Sequence, residues 1–335
     1  MKMPKEDASS LQPVIPARLK KGDHLRVIAP AESFSPKFTK DLEEKTLRGF
    51  KELGLQVSFG KYVHEMNSFK SASVEHRLED LHEAFEDASV NAIISAIGGS
   101  SANQLLKHMN YELIRDNPKI FCGLSDITEL NSAIYSRTGL VTYYGPHFTM
   151  LGASQFFPQM LSNMKEIFFS EEPVEILPSE HYSNTEWEDD KIRNPGYWTI
   201  NPGKAEAQCM GGNLLTLNFL MGYNFMPDFE GRILFLEENK IIDYRGIQKE
   251  VQQIMNHPSG SKLRGIIFGR FQRESKMKRK HLEEMFLKME ELHKIPVVAN
   301  VDCSHTAPMM TFPFGGKISM EAQQGDRISL IITEH

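Results

Sequence analysis

The chain is poor in cysteine: its 335 residues hold three, Cys122, Cys209 and Cys303, with no Cys-x-x-Cys pair and no zinc-type spacing. That excludes a disulfide framework, and an odd, sparse set fits reduced thiols in the cytosol. No apolar run reaches the ~18 residues of a membrane-spanning helix. The first ten residues, MKMPKEDASS, lack the apolar stretch of a signal peptide, so a cytoplasmic location is expected. Excess positive charge is also missing. Lys and Arg number 38 against 44 Asp and Glu, and a net charge of −6 provides no broad basic surface for nucleic acid. The one basic run, Lys276 to Lys280, is bracketed by Glu274 and by Glu283 and Glu284, and reads as a solvated helix start. There is no internal repeat and no low-complexity tract.

What is present is an ordinary globular composition, 40% hydrophobic and 24% charged, in a chain long enough for two cores. Short apolar strands alternate with amphipathic helices through the first half: strand 25–29, helix 40–53, strand 55–59, helix 75–86, strand 92–96, helix 102–109, strand 119–122 and helix 129–135. This alternation predicts a doubly wound parallel sheet, with ligands beyond the carboxyl ends of its strands. The pattern weakens over 151–205, where an acidic stretch around Trp187 reads as a long connecting loop. A second α/β unit follows, closed by an antiparallel hairpin of 317–321 and 327–332. The expected division is 1–165, carrying a nucleophile; 166–204, a connecting region with a substrate loop; and 205–335.

The most informative stretch is Phe121-Cys-Gly-Leu-Ser-Asp-Ile-Thr128. An apolar strand runs through a glycine into Ser125, and a helix follows at once. A serine at such a turn exposes its hydroxyl beside outward-pointing amides, the geometry of an acyl-transfer nucleophile. A simpler reading makes Ser125 or Asp126 a helix cap. A serine nucleophile needs a base, and the base an orienting carboxylate. His305 sits just after the strand at 296–299, and Glu237 and Glu238 end the strand 232–236. Side-chain alternation lets only one of the two glutamates face a cleft. Gly98-Gly99 suits an oxyanion donor, a carboxylate-binding turn or a plain tight turn. Trp187 either stacks on a planar substrate group or anchors its loop. Asp302, Cys303 and His305 are all metal-ligand types, but no second cluster supports them, so no metal or cofactor is expected. Cys122 as an alternative nucleophile lies on the strand rather than at its turn.

Several motifs occur in order along residues 18–333: Leu19-Lys-Lys-Gly-Asp23, Ile97-Gly-Gly99, Gly123-Leu-Ser-Asp-Ile-Thr128, Gly211-Gly-Asn-Leu214, Leu234-Phe-Leu-Glu237 and Asp302-Cys-Ser-His-Thr306. Together they resemble the LD-carboxypeptidase family of serine peptidases. The Tyr143-Tyr-Gly-Pro-His147 block and the Trp187 loop are most similar to the microcin C self-immunity branch, with murein-recycling enzymes a more distant branch. The resemblance implies an N-terminal domain like class I glutamine amidotransferases and a C-terminal swivelling α/β domain. It implies a triad of Ser125, His305 and Glu237, and an oxyanion hole from the backbone of Gly99 and Asp126. It implies Trp187 stacking on a nucleotide base, a homodimer, and a peptide or peptide-nucleotide substrate. A murein tetrapeptide is the alternative substrate, and a silent peptide- or nucleotide-binding protein is the alternative of another class. The chain departs from the family pattern at Leu124, usually aromatic, at Ser100-Ser101, usually Tyr-Asn, and at Glu238, more often Asp.

Overall fold

The computed structural model describes residues 12–35 and 37–335, so the decapeptide read for a signal sequence lies outside the described residues. The first half alternates β1 (His24–Ile28), α1 (Lys40–Glu52), β2 (Gln56–Phe59), α2 (Val74–Glu86), β3 (Val90–Ser95), α3 (Tyr111–Asp116), β4 (Ile120–Gly123), α4 (Thr128–Thr138) and β5 (Thr142–Tyr144). Helices α5 (Phe148–Ala153) and α6 (Phe157–Phe169) come next, then short strands β6 (Val174–Glu175), β7 (His181–Tyr182) and β8 (Ile192–Arg193). The second half runs β9 (Trp198–Asn201), β10 (Gly203–Asn213), α7 (Leu214–Asn218), β11 (Ile233–Glu237), α8 (Tyr244–Met255), β12 (Gly265–Gly269), α9 (Arg279–Lys288), β13 (Val297–Val301), β14 (Phe312–Phe314), β15 (Lys317–Gln323) and β16 (Arg327–Glu334).

Strands β1 to β5 form a parallel sheet in the order β5-β4-β3-β1-β2, as the alternation predicts. Its central strands β3 and β4 are buried almost throughout and read as largely apolar runs, while edge strand β2 is only partly covered. The second sheet is mixed, ordered β6-β16-β15-β10-β11-β12-β13-β9, with β10 to β13 parallel and the closing β15–β16 hairpin antiparallel. The chain has the two-part α/β architecture expected.

Two differences matter for the site. The helix expected over 102–109 is a single 3-10 turn, Ala102–Gln104. Asp126 Oδ2 takes the Ser101 and Ala102 N–H groups at the start of the segment, and Asn110 starts the next helix by accepting from Leu113 N at 3.1 Å. The other concerns β14, which leaves the second half and adds an antiparallel strand beside β5, pairing Phe312 with Tyr144. One apolar core consequently runs through both sheets. The Phe235 ring lies 5.6 Å from that of Tyr144 and 5.3 Å from that of Phe312. The carboxyl ends of β4 and β11 are thereby held face to face.

Candidate active site

Ser125 begins the turn between β4 and α4 with φ at 66°, the left-handed region. That conformation costs a non-glycine residue about 1–2 kcal/mol and clusters at functional sites. Alone among residues 121–134, Ser125 is not buried. The turn has room for it only because residue 98 lacks a side chain: a Cβ there would lie 2.9 Å from Ser125 Cβ. The Ser125 carbonyl accepts from Thr128 Oγ1 at 2.6 Å, and its N–H donates to the Tyr144 hydroxyl at 3.3 Å.

Beyond Tyr144, Glu237 ends β11 wholly buried, and its Oε2 lies 2.7 Å from His305 Nδ1 and accepts from His305 N at 3.2 Å. Its Oε1 accepts from the Tyr144 hydroxyl at 2.6 Å and from Asn213 Nδ2 at 3.2 Å. Burial alone would raise the Glu237 pKa. The His305 charge and the hydrogen bonds from His305, Tyr144 and Asn213 outweigh it and hold the carboxyl below its usual value. For His305 the balance has the opposite sign. Burial disfavours the imidazolium, but the Glu237 carboxylate, assisted by Glu238 and Glu186, holds its pKa above the ordinary histidine value. Facing the Glu237 carboxylate, Nδ1 carries the proton when the ring is neutral, which leaves Nε2 free to accept one. The ring makes no hydrogen bond to Ser125 Oγ among the described residues. Such contacts often tighten only when substrate binds.

Glu238 plays a different part. It too is fully buried, accepting from Leu215 N at 2.9 Å, Asn213 Nδ2 at 3.0 Å and Asn239 N at 2.8 Å. Burial and the neighbouring Glu237 charge raise it to about 7. Side-chain alternation therefore sends one carboxyl to His305 and the other under α7; neither is solvated.

Asp126 acts through its side chain as well as its position. Its Oδ2 accepts from Ser101 N and Ala102 N, each at 2.8 Å, lashing the Gly98–Ala102 loop to the serine turn. The backbone N–H groups of Gly99 and Asp126 have no backbone partner among the described residues. It is Gly98, not Gly99, that packs against Ser125; Gly99, at φ 153°, lies against Glu32.

Trp187 is 42% exposed at the tip of its loop. The loop is tied down by a backbone bridge between Ser183 and Ala307, two residues past His305. Gln155 holds it from one side, and Arg273 pairs with Glu188 at 2.7 Å on the other. Sequence reasoning did not single out Glu186, whose charge reaches His305. It also missed Tyr144 and His147. The His147 ring is buried, accepts from Met150 N at 3.0 Å, and is driven to about 3 by burial and then by the His305 charge, so it is neutral. Tyr144 and His147 lie in the block that carried the resemblance, but nothing in their spacing announces a role.

The remaining candidates separate cleanly. Asp302 forms a buried ion pair with Arg270 at 2.5 Å and accepts from Ser179 N at 2.7 Å, so its carboxylate is engaged in supporting the His305 loop. Cys122 and Cys303 are buried, and desolvation raises both thiols far above the range where a thiolate forms.

A left-handed serine after a parallel strand, linked to a buried glutamate–histidine pair, is an arrangement that serine hydrolases use. Residues 25–145 match the LD-carboxypeptidase N-terminal domain and residues 206–320 the LD-carboxypeptidase C-terminal domain. The chain belongs to the LD-carboxypeptidase family and is a serine-type carboxypeptidase or amidase. It is 38% identical to YocD of Bacillus subtilis over 314 residues, 92% of this chain and 96% of the relative. It is 32% identical to the "Probable murein peptide carboxypeptidase" of the same organism, covering 92% of each. An MccF-like protein from Bacillus anthracis superimposes with a TM-score of 0.93 at 38% identity, over 96% of this chain and 100% of that one. The microcin C7 self-immunity protein MccF, in complex with aspartyl sulfamoyl adenosine, superimposes with a TM-score of 0.84 at 26% identity, over 96% and 99% of the chains. Among the described residues, no helix is long and apolar enough to cross a membrane.

Proposed function

We propose that the protein hydrolyses the amide of an aminoacyl- or peptide-nucleotide of microcin C type, with Ser125 as nucleophile, His305 as general base and Glu237 as the group that orients it. The observation that carries this reading is the 2.7 Å Glu237–His305 pair joined through the Tyr144 hydroxyl to a strained, partly exposed serine. Nε2 of His305 takes the Ser125 proton as Oγ attacks the carbonyl, then passes it to the leaving amine. Water activated by the same nitrogen releases the acyl group. The Ser125 N–H is occupied by Tyr144, so the oxyanion falls to the free N–H groups of Gly99 and Asp126. Trp187 stacks on the base, which its exposure permits.

The same reading divides the chain into a nucleophile unit (1–165), a connecting region with the substrate loop (166–204) and a unit supplying Glu237 and His305 (205–335). It includes a cytoplasmic homodimer, which sedimentation velocity at micromolar concentration tests. The identity to a murein peptide carboxypeptidase favours a second reading, cleavage of an L,D-linked murein tetrapeptide. Mass spectrometry of wild-type digests of aspartyl sulfamoyl adenosine and of the tetrapeptide discriminates between them. Selective cleavage of the adenosine compound supports the first reading, and selective cleavage of the tetrapeptide replaces it with the second.

A further inference from the structure

Two hydrogen-bond relays leave the backbone of Ser125 and end on the same pair of residues in the other half of the chain. From its carbonyl, Thr128 Oγ1 donates at 2.6 Å and in turn accepts from Asn213 N at 3.0 Å. From its N–H, the Tyr144 hydroxyl accepts at 3.3 Å and donates to Glu237 Oε1 at 2.6 Å. Asn213 and Glu237 are register partners at the ends of β10 and β11, and Asn213 Nδ2 donates to Glu237 at 3.2 Å, closing the circuit. The approach depends on Gly212, since a Cβ there would lie 2.6 Å from Thr128 Oγ1 and 3.0 Å from Tyr144 Cε2. Both peptide groups flanking a strained residue are thus gripped by side chains whose own partners belong to the opposite sheet.

We infer that Thr128 and Tyr144 are positioning residues: through partners in the other half of the molecule they hold Ser125 in its left-handed, attack-ready conformation. Strained backbone persists where its surroundings over-determine it. Were the Tyr144 hydroxyl to lose Glu237 and the Thr128 hydroxyl Asn213, the serine turn would be free to relax. This rests on the assignment of Ser125 as nucleophile.

The test compares Thr128→Val, Thr128→Ser, Tyr144→Phe and the double Thr128→Val/Tyr144→Phe with wild type. It reads the rate at which a fluorophosphonate labels Ser125, together with kcat and KM for the substrate that the wild-type enzyme cleaves. Thr128→Val and Tyr144→Phe should each slow labelling and kcat by about 10- to 100-fold with little change in KM. Thr128→Ser, which keeps the hydroxyl, should restore most of the rate. The double variant should lose less than the product of the singles, because the turn relaxes once either relay is cut. Tyr144→Phe should also raise the apparent pKa of the acid limb, since Glu237 then directs more of its charge at His305, whereas Thr128→Val should leave that limb in place. A Ser125→Ala control that still reacts would overturn the nucleophile and the clamp together. An inert Ser125→Ala beside near-wild-type Thr128→Val, Tyr144→Phe and double variants would overturn the clamp alone.

Discussion

Glu237 contacts His305 Nδ1 at 2.7 Å through one oxygen and the Tyr144 hydroxyl at 2.6 Å through the other, so a single buried carboxylate joins His305 to the Ser125 turn. Its negative charge makes His305 a stronger base than a free imidazole.

That relationship sets the pH dependence. The proposed mechanism needs neutral His305, and its pKa is raised, so kcat/KM should climb with pH through an apparent pKa above the ordinary value of about 6.5. In Glu237→Gln the anion is gone while burial remains, and the acid limb should move down. The maximal rate should fall by about 10²- to 10⁴-fold. pH–rate profiles of the two proteins measure both effects, and an unmoved limb counts against the pairing.

Trp187 gives a substrate-selective prediction. Stacking on a base contributes about 1–3 kcal/mol, so Trp187→Ala should raise KM for the adenosine compound by about 5- to 150-fold. Turnover of a peptide without a base should hardly change. Steady-state kinetics on both substrates separates stacking from simple loop anchoring, which would affect both equally.

Thiol chemistry should be silent. Cys122, Cys209 and Cys303 are all buried. Iodoacetamide under native conditions should leave activity intact, and Cys122→Ala should retain function. Inactivation that tracks alkylation of Cys122 would revive a cysteine mechanism.

The Arg270–Asp302 ion pair is nearly without solvent contact, with side chains 3% and 0% exposed. Removing one partner leaves a buried charge uncompensated, so Arg270→Ala should cost about 3–5 kcal/mol in denaturant unfolding. Because Asp302 precedes the His305 turn, activity should fall as well. Arg270→Ala unfolding with the wild-type midpoint would show that the pair is not structurally important.

The sequence made one class of feature legible and concealed another. Strand β4, the Ser125 turn and the strand ending at Glu237 are local signals: apolar runs that stop at a polar residue. The parallel first sheet followed from their alternation with helices. Other contacts arise only when distant segments meet. Tyr144 reads as a buried strand aromatic, and its hydroxyl gains meaning 93 residues later at Glu237. Phe312–Phe314 reads as part of the second unit, yet pairs with β5 of the first sheet. The 102–109 segment has helical composition, but Asp126 seizes the Ser101 and Ala102 amides and fixes a short turn. Nothing local marks Glu238 as the buried support for α7 that it is.

The most direct test of the account is the release of sulfamoyl adenosine from aspartyl sulfamoyl adenosine, followed by mass spectrometry with wild type beside Ser125→Ala. The account predicts steady release by wild type and a loss of about 10³-fold or more in the variant. Release by Ser125→Ala at the wild-type rate, or none by wild type, would contradict it.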